Sequence, residues 1–223
     1  MKKLFLFLSL SVILFSCRKE QETANLGNTI WVNAKYLETL ERTKSPLQAK
    51  IYADTVMVNF NANADTANIV WNFHESSEFI VKQGEKIQLF DAYEQKKTPE
   101  FEGILVNGTL KLGKSTFKKV DTTGFIEKKF WIGKYSAGST QIELKFDGKI
   151  SGIDSLATYY VWSDYITTQT DIDLIDFYAK NNKSTTYGFK FVGNEIIFYD
   201  FIWNETDQIT GKVGKEMFRW RRF

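Results

Sequence analysis

Three short β-like blocks recur in one order and at nearly one spacing, and that recurrence limits the possible folds more than any other feature. Ile172-Asp173-Leu174-Ile175-Asp176-Phe177-Tyr178 echoes Ile87-Gln88-Leu89-Phe90-Asp91-Ala92-Tyr93 at a separation of 85 residues. Val56–Phe60 lines up with Ile142–Phe146 at 86, and Val106–Leu112 with Val192–Phe198 also at 86. A solenoid repeat spans only about 20–50 residues. The expected architecture is therefore a β unit used twice, over residues 29–120 and 125–223. Val120-Asp121-Thr122-Thr123-Gly124 is the seam between them.

The local text agrees with an all-β reading. From Lys50 onward, short runs rich in Val, Ile, Thr, Phe, Tyr and Trp alternate with Asn, Asp, Gly and Lys clusters, and Thr29–Val32 precedes them as a first strand. Lys129–Lys134 and Asp171–Tyr178 are among the strands expected in the second half. Asn107-Gly108 and Gly193-Asn194 are two-residue hairpin signals at equivalent points of the repeat, and Asp147-Gly148 is a third. Consecutive short strands with tight turns form an antiparallel meander, and closing it removes exposed edges. Two tandem barrels are the first expectation, and one larger barrel made from both halves is the alternative. One short helix is expected over Asn33–Lys44, with Tyr36, Leu37 and Leu40 at helical spacing, ending before Ser45-Pro46.

The N-terminus gives an address. Met1-Lys2-Lys3 leads into an apolar run from Leu4 to Phe15, the form of a secretory signal peptide over residues 1–16. That run is shorter than the roughly 20 residues a membrane span needs. Leu14-Phe15-Ser16-Cys17 resembles the lipobox of bacterial lipoproteins, which implies cleavage before Cys17 and acylation of its thiol. Phe15 stands where that family usually has a smaller residue. Cys17 is the only cysteine, so no disulfide framework is possible. Residues 17–28 read as a polar tether. The chain carries 29 Lys+Arg against 27 Asp+Glu, and losing Lys2 and Lys3 with the signal leaves the mature part formally neutral. Nothing in that balance points to nucleic acid. The implied location is the bacterial outer membrane, with the protein held by its lipid and facing periplasm or cell surface.

A second resemblance concerns the fold. Gly133-Lys134-Tyr135, Phe146-Asp147-Gly148-Lys149, Ala157-Thr158-Tyr159-Tyr160, Val192-Gly193-Asn194-Glu195 and the final Met217-Phe218-Arg219-Trp220-Arg221-Arg222 follow one another in order. The series resembles the small lipocalin-like domains of bacterial lipoproteins. That resemblance implies an up-and-down β-barrel, sometimes with an apolar cavity, and no catalytic residues. The helix between the first two strands is similar in placement to the helical lid of fatty-acid-binding proteins, and a helix plugging one end of a barrel is its plainer reading.

Candidate sites are few. His74, in Trp71-Asn72-Phe73-His74-Glu75, is the only histidine, which weakens triad hydrolase and zinc-enzyme readings. Asp171, Asp173 and Asp176 are too few for a calcium cage of 6–8 oxygens. Asp91 and Asp176 are the repeat-equivalent carboxylates that would serve acid–base chemistry if they met. No cofactor motif and no metal-ligand spacing are found. The aromatics offer more. Trp71 and Phe73 share a strand face with Ile69, Tyr160 and Trp162 share one with Thr158, and Tyr178 and Phe198 lie in neighbouring strands. In a hollow barrel these six side chains would line an apolar ligand site, and in a small one they would fill it. Expectation therefore settles on a lipid-anchored, non-catalytic envelope module binding a small apolar ligand or a protein partner. A structural accessory of an envelope assembly comes second and a carboxylate-based enzyme third.

Overall fold

The computed structural model describes residues 25–94, 96–207 and 209–223. The signal peptide, Cys17 and most of the tether lie outside the described residues. The first barrel comprises β1 (Ile30–Asn33), β2 (Met57–Phe60), β3 (Thr66–Trp71), β4 (Glu75–Gln83), β5 (Ile87–Asp91), β6 (Phe101–Val106), β7 (Thr109–Leu112) and β8 (Ser115–Val120). Each strand pairs antiparallel with the next, and β8 returns to β1, with Ile30 opposite Val120. The second eight are β9 (Gly133–Ala137), β10 (Thr140–Leu144), β11 (Ile150–Ser151), β12 (Leu156–Val161), β13 (Asp173–Ala179), β14 (Ser184–Val192), β15 (Glu195–Trp203) and β16 (Gly211–Arg222). Their spatial order is β11-β10-β9-β16-β15-β14-β13-β12. The gap between β11 and β12 is bridged by the pairing of Lys149 with Thr158 and a bond from the Tyr159 amide to the Gly148 carbonyl, 2.7 Å. One barrel is closed, the second nearly so, and the single larger barrel is ruled out.

The recurring blocks occupy matching strands: second with second, fifth with fifth, and the sixth–seventh hairpin in each barrel. The two hairpins differ in turn chemistry. Asn107 and Gly108 both take left-handed backbone, φ 52° and 68°, as a type I′ turn demands; in the other only Gly193 does, φ 62°, the type II′ form. The alignment at 85 residues needs correction. Leu89 lies in the first barrel's interior cluster, whereas Leu174 packs outside the second barrel against Tyr165, Ile172 and Phe201. Side chains alternate across a strand, so a slip of one residue changes face. At 86, the spacing of the other two blocks, Leu89 matches Ile175, which does face the second interior.

The strand expected over Lys129–Lys134 is instead a helical turn, Glu127–Trp131, followed by β9 from Gly133. Phe130 and Trp131 are adjacent and pack into one and the same core cluster, whereas a strand would turn them to opposite faces. The Tyr135 hydroxyl fastens the turn by donating to the Trp131 carbonyl at 2.6 Å. The expected helix is α1 (Ala34–Thr43), capped by Asn33, whose side chain accepts from the Lys35 amide at 3.0 Å and the Tyr36 amide at 3.4 Å. A second short helix, α2 (Pro46–Ala49), follows, with Ser45 as its N-cap and Pro46 opening its first turn.

These helices join the barrels. Trp31, Val58 and Ile69 are cross-strand neighbours facing into the first barrel, so Val32, Met57 and Val70, also mutual neighbours, face out. The outward residues belong to one core cluster with Tyr36, Leu37 and Leu40 of α1, Phe125 and Ile126 of the linker, and the second barrel's interior. In the antiparallel order, β9, β13 and β15 begin at the same end of the second barrel. The turn 127–131 enters there and inserts Trp131 among Phe189, Phe191 and Phe198. Lys44 over the Phe191 ring and the Leu47 amide on the Asp173 carboxylate, 2.8 Å, bring the helices to that end too. Helix α1 thus runs along the outside wall of one barrel and covers an end of the other. Each fully buried leucine or phenylalanine in this seam contributes about 1.5–3 kcal/mol.

Candidate functional site

Aromatic and aliphatic side chains occupy the interior of each barrel. In the second, the Trp131–Phe189, Phe198–Phe218 and Phe198–Trp220 ring centroids are each 4.7 Å apart. In the first, Phe79 stands edge-on to Phe101 at 5.5 Å and to Trp71 at 6.3 Å.

The six aromatic candidates do not converge on one cavity. Trp71 is half-buried against the first barrel's core, while Phe73 leaves that barrel and packs on Tyr36 and Phe125 at the seam. Tyr160 is 48% exposed. Trp162 lies outside the second barrel, 5.7 Å from the Trp203 ring, and its indole N–H donates to Asp176 at 3.0 Å. Tyr178 is half-buried on that outer surface, and Phe198 is fully buried inside.

The carboxylates have separate structural duties. Asp176 accepts from Trp162 and from the Thr186 hydroxyl, 2.6 Å. Asp91, in the other barrel, accepts the Tyr93 and Glu94 amides, which hold its carboxyl below the usual range. His74 Nδ1 lies 2.8 Å from an Asp164 oxygen, with the histidine side chain 58% exposed. Among the described residues, no group of three or more His, Cys, Asp or Glu could hold a metal ion.

Asp173 is different. It is buried where β13 meets α2, accepts from the Leu47 amide, and has the Ser45 hydroxyl as a second donor. Burial outweighs both donors and pushes its carboxyl up to about 6. Full burial raises the Tyr36 phenol and the Asp173 charge adds to it; the Tyr36 hydroxyl has no hydrogen-bond partner among the described residues. Burial also raises the Glu127 carboxyl nearby. Asp173 thereby ties α2 to β13 inside the seam.

An open concavity lies beside it on the surface. A groove of about 730 Å3 runs between α1, the end of β8 and the linker, lined by Leu37, Glu41, Lys118, Lys119, Val120, Asp121, Phe125, Lys128 and Lys129. Leu37, Val120 and Phe125 give it an apolar floor. The lysines give it a charged rim, on which Lys118 meets Glu38 at 3.0 Å, Lys128 meets Asp121 and Lys129 meets Glu41. The volume falls within the roughly 300–1,000 Å3 range of small-molecule sites. Sequence reasoning passed over these residues, although the doublets Lys118-Lys119 and Lys128-Lys129 frame the seam on both sides.

Comparison with protein-family models, with curated proteins and with solved structures gives no match.

Proposed function

We propose that the protein is a lipid-anchored, non-catalytic binding module of the bacterial cell envelope, and that it binds outside its barrels, in the groove at their seam. The observation that carries this reading is the contrast between interiors lined by mutually packed, buried side chains and an open, apolar-floored concavity of ligand size. The lipobox-like run ending in Cys17 supports the address.

Two measurements test it. Labelled palmitate is incorporated into the wild-type protein in bacterial cells and lost with Cys17→Ala; incorporation that survives the substitution refutes the anchor. Neutral phenylnaphthylamine binds the purified mature chain saturably, weakens with Val120→Asn in the groove floor, and is unchanged by Tyr178→Phe on the second barrel's outer surface. The reverse pattern refutes the groove.

A structural accessory role is the second reading. Ile202 and Val213, on opposite faces of the β15–β16 hairpin where they pair with Lys212 and Phe201, are 59% and 38% exposed, and apolar side chains open to solvent on a hairpin suit packing against a larger assembly.

A further inference from the structure

The outer wall of the second barrel carries aromatic side chains around a buried carboxylate. Tyr159, Val161, Ile175 and Phe177 face the interior, so Thr158, Tyr160, Asp176 and Tyr178, which alternate with them, face out. Tyr160 stands directly opposite Asp176, Thr158 opposite Tyr178, and Thr186 opposite Asp176 on its other side. Residues paired in this way have Cβ atoms about 4.5–5.5 Å apart. The Trp162 indole N–H donates to one Asp176 oxygen at 3.0 Å, and the Thr186 hydroxyl donates to the other at 2.6 Å. Tyr160 is 48% exposed, and Trp162 and Tyr178 are half-buried.

Charge on this wall is one-sided. Both of those Asp176 donors are neutral, and among the described residues no lysine or arginine pairs with it. Lys180 and Lys183 stand on the β13–β14 turn beyond it. Burial first, and after it the charges of Glu127, Asp164 and Asp176, raise the Tyr160 phenol against the opposing hydrogen bond with Ser163.

We propose that this wall is a second binding site, for a small organic cation bearing an alkylated ammonium group. The ammonium lies on the Tyr160 ring, between Trp162 and Tyr178, within reach of the Asp176 charge. An aromatic face attracts a cation through its quadrupole, and a nearby carboxylate adds to that attraction. Alkyl groups on the nitrogen spread its charge and loosen its water, so the ring competes for it. An anion would be repelled by Asp176, and a neutral body would leave that charge unused. The site is separate from the seam groove and does not depend on it.

Choline and its uncharged carbon isostere, with a tert-butyl group in place of trimethylammonium, share one shape and differ in charge. The Trp162 indole N–H resonance of the purified mature chain, identified by its loss in Trp162→Phe, reports binding. A cation–π contact at a partly exposed ring is worth a factor of about two to five in affinity. Choline is expected to shift the resonance saturably and to bind more tightly than the isostere by at least that factor. Tyr160→Leu removes the preference and Tyr160→Phe keeps it. Asp176→Asn, which retains an acceptor for the indole, weakens choline and leaves the isostere unchanged.

Equal affinity for choline and the isostere, or a preference that survives Tyr160→Leu, overturns the cation assignment. A saturable shift with maltotriose and none with choline overturns it in favour of a neutral sugar. No saturable shift with any of the three overturns the site itself. Cosedimentation with phosphatidylcholine vesicles that depends on Tyr160, without binding of free choline, overturns the small-molecule assignment in favour of a lipid headgroup.

Discussion

Asp173→Asn is expected to stabilise the protein at neutral pH and to lose that advantage in acid. The wild-type carboxyl is buried at the α2–β13 contact and raised from 3.8 to about 6. A change of that size corresponds to about 3 kcal/mol in favour of the protonated form. The sign follows from proton counts. Between about pH 4 and pH 6 the folded state holds a proton that the unfolded state has released, so the wild type loses stability as pH rises through that window. Above it the penalty is constant. Asparagine keeps an oxygen for the Leu47 amide, 2.8 Å away, but turns a donor towards the Ser45 hydroxyl, which already accepts from the Gln48 amide. Disturbing that bond costs about 1 kcal/mol. The net expectation is a gain of about 2 kcal/mol at pH 7.5, or about 4–8 °C in Tm for a chain of this size. By pH 4 it becomes a loss of about 1 kcal/mol. Urea unfolding of both proteins at the two pH values measures the difference, and other titrating groups, Glu127 included, cancel between them. A variant equally destabilised at both pH values would show that the carboxylate is not penalised by burial, and the account of this contact would fail.

Other substitutions probe the scaffold. Asn33→Ala removes the cap of α1 and the side-chain bond to the Thr55 carbonyl, and should cost about 1–2 kcal/mol in urea unfolding. Gly152→Ala places a Cβ 1.8 Å from the Gln141 carbonyl oxygen at a φ of 93°; it should cost more than about 3 kcal/mol or prevent folding, read as loss of the cooperative thermal transition. Trp131→Ala empties the centre of the second barrel and should cost about 3–5 kcal/mol by the same measurement.

How much of this was legible in the sequence depends on whether the cause was local. Hairpins at Asn107-Gly108 and Gly193-Asn194 were legible because positive φ falls on residues that tolerate it. Helix α1 was legible from its spacing and its stop, and α2 carried an unread signal in Ser45-Pro46. The repeat gave the strand correspondence but misplaced one block by a residue. Matching an aspartate and a tyrosine favoured 85, whereas the barrel is governed by which residue faces in, and that required 86. The turn at 127–131 looked like a strand because Phe130, Trp131 and Ile132 are strand-favouring types. Tertiary burial of two adjacent aromatics overrode that preference.

The seam left a trace that periodicity alone does not decode. Trp31-Val32, Met57-Val58 and Ile69-Val70 are apolar on both strand faces, as strands buried on both sides require. A barrel strand has one face inward, so a second apolar face calls for a cover on the outside. Here α1, the linker and the second barrel's end supply it. The same geometry produces the groove. Helix α1 lies beside the barrel wall, the linker crosses from β8 towards β9, and Leu37, Val120 and Phe125 border the space between them. The seam residues serve the core with one edge and meet solvent with the other. That is why a cleft with an apolar floor exists on the outside of the two barrels, and why lysines, with long stems that cover apolar surface and heads that remain in water, ring it.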